Sequence, residues 1–364
     1  MMEALAAAML TFGNPEVVAT FRGPMPTGIT ISHSGRVSVN FPRWGDNVPF
    51  TVAELRNGNP VAFPDEAINR PDGDPGKQFI SVQSVVVDPK DRLWVLDTAA
   101  PEFKPVMPGG PKLVCIDLAQ NKVVDTIHFP PDVALTTTYL NDVRFDLRRG
   151  KAGMAFITDS SDKGPNGIIV VDLATKRSWR KLNDHPTTKA ARGFLPIVES
   201  RLLYARPAAG KVEPLRMGSD GIAIGHDGQR LYYCPLSSRR LFSVSVDALA
   251  DEHASPDEAA RTVQDHGDKG ASDGLESDAQ GRVYCTNYEH NAILRRKTDG
   301  TFEPIAASPE MLWPDTLSLA ADGYLYVTAN QLHRQKRFHE GKDLRKKPYL
   351  LMRIKVDGTP VLLR

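Results

Sequence analysis

The chain of 364 residues has little net charge and no long apolar run. Its 45 Lys and Arg residues nearly balance its 44 Asp and Glu residues, which leaves a net charge of +1. Such a balance gives no global field that would attract nucleic acid or an anionic membrane. No apolar run approaches the length that crosses a bilayer. We therefore expect a small-molecule substrate or ligand, with no nucleic acid and no membrane as partner, and the oligomeric state stays open.

Cysteine is also scarce, because the chain has only Cys115, Cys234 and Cys285. Each lies within an apolar stretch and none has the spacing typical of metal sites, so buried free thiols are expected. Residues 1–10 carry Glu3 and lack the basic start of a secretory signal, which favours a cytoplasmic protein, or a periplasmic or secreted one if a signal was trimmed. Nucleophile elbows, phosphate-binding glycine loops, paired CxxC motifs and dinucleotide fingerprints are missing as well.

The chain does contain one sequence motif that is repeated six times. A small polar or acidic residue is followed by two or three apolar residues, a turn rich in Asp or Gly, and a strand rich in aromatic and β-branched residues. The six copies lie at 27–39, 84–95, 142–157, 220–234, 273–285 and 315–327. Each copy is a two-stranded unit that cannot bury both faces alone, and recurrence of this kind is typical of a propeller.

The repeat predicts an all-β fold, a six-bladed β-propeller closed by an N-terminal strand. We predict a single domain over 1–364, with a strand at 16–22 pairing into the last blade and so covering its edge. A further strand is predicted at the end of the chain, at 360–364. The predicted blades lie at about 24–64, 78–130, 138–184, 216–266, 270–307 and 312–364.

In this topology the six inner strands begin on one face, which we call the top. His33 and His226 lie in hairpin turns and are therefore predicted on the opposite face. The segment 331–348 holds seven Lys or Arg residues and joins the second and third strands of blade 6, so it is expected to overhang the top. It is interpreted either as a lid or as an exposed, solvated excursion.

Aligning the repeats places six side chains at equivalent heights around the top opening. They are Thr27, Ser84, Asp142, Asp220, Asp273 and Asp315. Four converging carboxylates would repel one another, so they require a cation, shared protons or hydrogen bonds to the turns. Oxygen ligands suit hard cations, and Ca²⁺ or Mg²⁺ is the predicted metal. An architectural role for these Asp residues, as acceptors for backbone amides, is the alternative.

These positions define the candidate site. Asp220 and Asp273 are the catalytic candidates, and the predicted metal ligands are Asn141, Asp142 and Asp220. The mouth also offers aromatic walls that could stack on a small molecule or pack between blades. The predicted substrate-binding residues are Trp44, Tyr139, Tyr288, His290, Trp313, Asp315 and Asn330.

Four local strings stand in a fixed order over roughly residues 16–330: FPRW at 41–44, YLNDV at 139–143, GIIVVDL at 167–173 and DGIA at 220–223. Together they resemble the major royal jelly protein/Yellow family, which implies a six-bladed propeller. That family includes insect dopachrome-converting proteins, binders of biogenic amines and nutritive storage proteins. More distantly, 141–143 and 219–221 resemble the metal-ligand phrases of gluconolactonases of the senescence marker protein type, where Thr27 stands in place of a metal-binding Glu.

Three functions follow from these observations. The first is a divalent-metal-assisted hydrolase of a lactone or related ester, in which the metal polarises a carbonyl and an Asp acts as general base. The second is a tautomerase or isomerase of an aromatic, dopachrome-like substrate, in which a carboxyl with a raised pKa moves a proton. The third is a non-catalytic binder of small aromatic amines.

Overall fold

Six four-stranded antiparallel sheets follow one another in the computed structural model, which describes residues 13–364. The inner strand of each sheet contacts the inner strands of the sheets before and after it, and the last contacts the first, so the sheets form a closed ring. The predicted six-bladed β-propeller is confirmed. The segment on which the prediction of cellular location rests, residues 1–10, lies outside the described residues.

From the inner to the outer strand, blade 1 has Ile29–Ile31, Val37–Asn40, Val52–Arg56 and Asn59–Ala62; blade 2 has Val82–Val87, Arg92–Asp97, Lys112–Asp117 and Lys122–His128; blade 3 has Leu140–Asp146, Met154–Asp159, Ile168–Asp172 and Ser178–Lys181. In the same order, blade 4 has Ser219–Ile224, Arg230–Pro235, Arg240–Ser245 and Gln264–Asp268; blade 5 has Leu275–Ser277, Val283–Asn287, Ala292–Arg296 and Phe302–Ala307; blade 6 has Pro314–Leu319, Tyr324–Ala329, Tyr349–Lys355 and Glu16–Phe21.

The ring closes through the N-terminal strand, as predicted. Glu16–Phe21 pairs antiparallel with Tyr349–Lys355 and is the outer strand of blade 6. The strand predicted at 360–364 is wrong, because Pro360 makes only an isolated bridge to Asp278. The tail crosses the bottom face instead, where Leu363 accepts a backbone hydrogen bond from Leu147.

Short elements fill the connections between strands. Two helices, Val246–Ala250 and Pro256–Arg261, separate the third and outer strands of blade 4. The link from blade 3 to blade 4 carries two small hairpins, Ile197–Val198 with Arg201–Leu202 and Tyr204–Ala205 with Glu213–Pro214. Single 3-10 turns lie at Pro101–Phe103, Leu332–Arg334 and Lys336–Phe338. None of the helices in the described part of the chain is both long and apolar enough to span a membrane.

The interior of the propeller is apolar and holds the cysteines. The strand Ile168–Asp172 buries four consecutive apolar residues, 168–171. Cys115, Cys234 and Cys285 are buried free thiols, as predicted. Burial raises the pKa of Cys115 and Cys285 to about 12, so neither is a thiolate at neutral pH.

Bulges in the inner strands aim side chains at the axis. The pairing register shifts between Val82 and Ser84 in blade 2, and at equivalent places in blades 3, 4 and 6. A bulge puts two residues opposite one and turns the strand locally. The shifts in blades 3, 4 and 6 fall where the repeat has its Asn-Asp, Asp-Gly and Asp-Thr pairs, so each bulge presents a polar side chain to the top opening.

Two glycines let neighbouring inner strands approach closely at this level. A Cβ atom on Gly221 would lie 2.3 Å from the backbone oxygen of Asp273, and one on Gly274 would lie 2.3 Å from that of Asp315. Threonines join the blades at the same height, since Thr158 Oγ1 donates to the backbone oxygen of Asp220 at 2.6 Å. The glycine of the Asp-Gly motif is thus required where one blade packs on the next.

Candidate functional site

The inner-strand starts surround a cavity of about 20 Å³ at the top of the axis. This volume suits one water molecule and is too small for an organic substrate. The side chains that line it come from all six blades or their connections. They include Trp44, Gln83, Phe103, Tyr139, Asn141, Ser160, Asp220, Asp273, Asp315 and Arg337.

A pair of carboxyl groups, Asp220 and Asp273, forms the floor of the cavity. Burial first, and then the charge of Asp273, hold the pKa of Asp220 well above its ordinary value, and the two side chains are hydrogen-bonded to each other. Burial raises the pKa of Asp273 to about 6. Two like charges this close cannot both be stable in a buried site, so Asp220 keeps its proton and donates it to Asp273.

Each member of the pair has one further donor. Asn141 Nδ2 donates to Asp220 Oδ1 at 2.7 Å, and Trp313 Nε1 donates to Asp273 Oδ2 at 2.7 Å. The indole N–H stabilises a charged Asp273, whereas burial opposes the charge. Asp273 is therefore the member that ionises first, and Asp220 is the acid.

Asp315 lies on the next blade and is also held close to neutrality. Burial and the charge of Asp273 raise its pKa well above the ordinary value. Asn330 Nδ2 donates to its Oδ2 at 2.5 Å, and Thr316 Oγ1 donates to its Oδ1 at 3.1 Å. The axial site thus limits its negative charge by protonation as well as by hydrogen bonds.

Asp142 differs from the other three Asp residues, because it has a fixed counter-ion. Arg144 Nη1 donates to Asp142 Oδ2 at 2.9 Å, while Ser84 Oγ and the backbone N–H of Val143 donate to Oδ1 at 2.6 and 2.8 Å. Arg144 is itself buried and also lies 3.9 Å from Glu276. Asp142 therefore carries a matched charge. Arg144 was not identified from the sequence; its signal was a basic residue two positions after Asp142 in an inner strand.

These contacts bear on the predicted metal ligands. Both oxygens of Asp142 accept hydrogen bonds from protein groups, and the side-chain amide of Asn141 turns its N–H₂ to Asp220. In blade 1, Thr27 accepts a hydrogen bond from Asn40. Within residues 13–364, no three or more His, Cys, Asp or Glu side chains are grouped so as to hold a metal ion. The metal ligands Asn141, Asp142 and Asp220, and Ca²⁺ or Mg²⁺ as the metal, stay predictions.

One wall of the cavity is a stack of three aromatic rings. Phe103 stacks on both Trp44 and Tyr139, with ring centroids 5.3 and 4.3 Å away, and the Trp44 and Tyr139 rings lie 6.4 Å from each other. Trp44 Nε1 donates to the Tyr139 hydroxyl at 2.7 Å, and that hydroxyl donates to Gln83 Oε1 at 3.1 Å. This wall is rigid because every polar atom of its rings is hydrogen-bonded.

A second pair of rings lies behind the carboxyl pair. Tyr288 stacks on Trp313 with centroids 4.1 Å apart and planes 11° from parallel. The Tyr288 hydroxyl donates to the backbone oxygen of Leu236, and His333 also stacks on Trp313, at 5.8 Å. These rings are fully or almost fully buried, so they position Asp273 through the Trp313 N–H and do not line the cavity.

The structure therefore separates the predicted site residues into two groups. Those that line the axial cavity are Trp44, Tyr139, Asn141, Asp220, Asp273 and Asp315. Those that do not are Asp142, Tyr288, His290, Trp313 and Asn330. His290 lies on an exposed loop and hydrogen-bonds Asn287, and the Asn330 amide donates to Asp315 and to the backbone of Pro26.

The basic segment 331–348 covers the top of the axis. Leu332 and Phe338 are buried, and the segment pairs with the hairpin of the blade 3 to blade 4 link, where Arg206 N donates to the Arg337 backbone oxygen at 2.8 Å. Arg345 pairs with Asp46 at 2.7 Å on the other side. Arg337 lines the axial cavity. The segment is a cover over the site, and Arg337 is a site residue that sequence reasoning missed among seven basic residues.

Fold and site together define a six-bladed propeller with an acidic, aromatic-walled site at the top of its axis. The family model described as Major royal jelly protein matches residues 80–358. The chain belongs to this family.

Individual relatives agree with this assignment. A Yellow-related salivary protein of Phlebotomus argentipes is 26% identical over 261 residues, which is 65% of this chain and 62% of that protein. The chain thus spans about six-tenths of the length of that relative.

Among solved structures, a calcium-binding protein, regucalcin, from Agrobacterium tumefaciens superposes with a TM-score of 0.54 at 14% identity, covering 95% of this chain and 97% of that one. A gluconolactonase from Xanthomonas campestris does so with a TM-score of 0.54 at 12% identity, covering 93% and 88%. At these identities the likeness shows the fold alone.

Proposed function

We propose that the protein is a small-molecule enzyme that moves a proton within a ring-bearing substrate, an isomerase or tautomerase, at the top of the propeller axis. The observation that carries this proposal is the Asp220–Asp273 pair, two hydrogen-bonded carboxyl groups with raised pKa values facing a cavity with an aromatic wall. Titratable groups whose environments separate their pKa values are typical of acid and base partners in enzymes.

The roles within the pair follow from their contacts. Asp273, with a pKa of about 6, is ionised at neutral pH and accepts a proton from the substrate. Asp220 is protonated and donates its proton to another atom of the same substrate. Isomerisation neither gains nor loses a proton overall, so the hydrogen bond between the two carboxyls lets the proton on Asp273 return to Asp220 after each turnover. The cycle balances without a co-substrate.

The walls supply positioning for a planar ring. The stack of Trp44, Phe103 and Tyr139 presents aromatic surface beside the acid pair, and a conjugated ring packs well against such a surface. The cavity of about 20 Å³ cannot hold that ring while segment 331–348 lies over it. Substrate binding therefore requires the cover to shift, after which the cover can exclude water.

The metal-assisted lactone hydrolase predicted from the sequence is the second candidate. It is favoured by three Asp side chains, Asp220, Asp273 and Asp315, that line one cavity, and by fold relatives described as a calcium-binding protein and a gluconolactonase. Metal binding would require Asp220 to lose its proton. A proton released on titration of the dialysed protein with CaCl₂, in two buffers of different ionisation enthalpy, would support this candidate. The amine binder remains the third, supported by the acidic floor and the aromatic wall.

The experiment is a turnover assay on three variants. Wild type, Asp273→Asn and Asp220→Asn are tested with freshly prepared dopachrome, followed by loss of its colour, and with glucono-1,5-lactone, followed by base uptake. The control is Asp72→Asn, which changes an exposed carboxyl far from the axis. We expect dopachrome-type isomerisation that falls at least about 100-fold in both axial variants and is unchanged in the control.

Other outcomes decide between the candidates. Turnover of the lactone alone, dependent on CaCl₂, would replace the isomerase with the hydrolase. Isomerisation that survives in folded Asp273→Asn would contradict the acid–base role of the pair.

A further inference from the structure

The Arg337 guanidinium lies in the cover of the axial site without a polar partner among the described residues. It stacks over Phe338, Phe103 and Trp44 with its central carbon 4.7, 5.1 and 5.9 Å from the ring centroids. Its Nε is buried and makes no hydrogen bond. A guanidinium has five N–H donors, and burying them unpaired costs free energy.

Three other arginines with little side-chain exposure differ from Arg337 in having a carboxylate partner. Arg144 pairs with Asp142 at 2.9 Å, Arg180 with Asp159 at 2.9 Å, and Arg345 with Asp46 at 2.7 Å. In each case a carboxylate neutralises the guanidinium. Within residues 13–364, Arg337 has no such carboxylate, which leaves its N–H donors available for a ligand.

Arg337 also stands where a ligand would pass. It lines the axial cavity of about 20 Å³ and, on its other side, a second cavity of about 190 Å³. We call the second cavity the vestibule; Trp44 and Phe103 line both cavities. The guanidinium is therefore at the neck between the vestibule and the acid pair. Burial lowers its pKa to about 10, so it is charged at neutral pH.

We propose that Arg337 binds a carboxylate group carried by the substrate, so that the ligand of this site is a ring-bearing organic acid and not an aromatic amine. The inference rests on the proposed function, because it names the substrate class of the same site. A planar carboxylate matches two parallel N–H groups of a guanidinium. A phosphate dianion fits less well, since it would bring a second negative charge towards Asp273.

The charges at the neck set the order of preference among ligands. A ligand carboxylate pairs with Arg337 while its ring stacks on Trp44 and Phe103. An ammonium group at the same place would face the guanidinium and be repelled. A neutral carboxamide keeps the shape but loses the charge-assisted bonds, which are about twice as strong as neutral ones.

The test uses three probes that share one ring: indole-2-carboxylate, indole-2-carboxamide and 2-(aminomethyl)indole. Their dissociation constants for the full chain are measured by calorimetry at pH 7. We expect the carboxylate to bind at least about tenfold more tightly than the carboxamide, and the amine to bind most weakly. In Arg337→Gln the carboxylate should lose this advantage. Arg206→Gln is the matched control, because Arg206 also lies over an aromatic ring, Tyr204 at 5.2 Å, but away from the axis.

Each other result counts against the proposal. Equal binding of carboxylate and carboxamide, tighter binding of the amine, an advantage that persists in Arg337→Gln, or a carboxylate that does not bind at millimolar concentration overturns it. If Arg337→Gln does not fold, Arg337→Lys keeps the charge but not the fork, and should retain only part of the advantage; full retention overturns the proposal.

This test is separable from that of the proposed function. Asp273→Asn should abolish isomerisation and still prefer the carboxylate probe. If that preference depends on Arg337 while no substrate is isomerised, the anion site stands and the isomerase fails. If isomerisation is found without any preference for the carboxylate, the isomerase stands and the anion site fails.

Discussion

Replacing Asp273 by Asn should make the protein more stable at neutral pH, by an amount that depends on pH. Burial raises the pKa of Asp273 from 3.8 to about 6. The folded state therefore holds this proton more tightly than the unfolded chain does. A raised folded-state pKa contributes stability that is fully present below the unfolded value and is lost as pH rises through the folded value.

The magnitude follows from the two pKa values. One pKa unit corresponds to about 1.4 kcal/mol, so wild type should lose about 3 kcal/mol of unfolding free energy from this group between about pH 4 and pH 7. The amide of the Asp273→Asn variant has no such titration. Its side-chain oxygen can still accept the hydrogen bond that the Trp313 N–H donates, so this contact is retained. The variant should gain on wild type over this pH range.

The assay is urea unfolding of wild type, Asp273→Asn and the exposed control Asp72→Asn at several pH values from about 4 to 8, followed by tryptophan fluorescence. The difference in unfolding free energy between Asp273→Asn and wild type should increase by about 3 kcal/mol from pH 4 to pH 7. The Asp72 control should track wild type throughout. A flat difference, or one that falls with pH, would show that Asp273 is not held neutral by burial and would refute the reasoning.

Three further predictions concern the same site. Turnover should rise with pH through about 6, because ionised Asp273 is the base; a pH–rate profile with no limb near 6 would contradict this. Arg144→Met should cost about 3–5 kcal/mol in urea unfolding, because Asp142 loses its buried counter-ion, whereas Arg56→Met, at an exposed arginine whose partner Glu54 also pairs with Arg36, should cost less than about 1 kcal/mol. Glu199→Gln removes a charge that pairs with His333 and Arg334 of the cover. Stopped-flow association of indole-2-carboxylate should therefore become faster. An unchanged rate would show that the Glu199 ion pairs do not hold the cover in place.

The fold was predictable because the same sequence motif occurs in each of the six blades. Each blade needs a short buried strand at the axis and a small or acidic residue at its start. Six copies of one sequence motif therefore predicted six blades. The closing strand Glu16–Phe21 followed from the need to cover an edge. The wrong strand at 360–364 shows the limit of this reasoning, since an apolar stretch becomes a strand only where it pairs along a sheet edge, and Pro360 makes just an isolated bridge.

The site was predictable to the extent that it lies on the repeat. Asp220, Asp273 and Asp315 occupy equivalent positions, and their convergence follows from topology. Arg337 could not be found in this way, because it lies in a run of seven Lys and Arg residues with no local difference between them. Its place is set by long-range contacts, such as the backbone bond from Arg206. His290, predicted to bind substrate, lies exposed on its loop and does not line the axial cavity.

The central claim is that Asp220 and Asp273 share a proton at neutral pH. The most direct test is a pH titration of carboxyl-¹³C-labelled aspartate by NMR, on wild type and on Asp220→Asn. We predict an aspartate signal that titrates near pH 6 and at least one that is still protonated at about pH 7, with one protonated signal lost in Asp220→Asn. If every aspartate signal instead titrates below about pH 5, as ordinary carboxyls do, the pair does not share a proton and the acid–base account is contradicted.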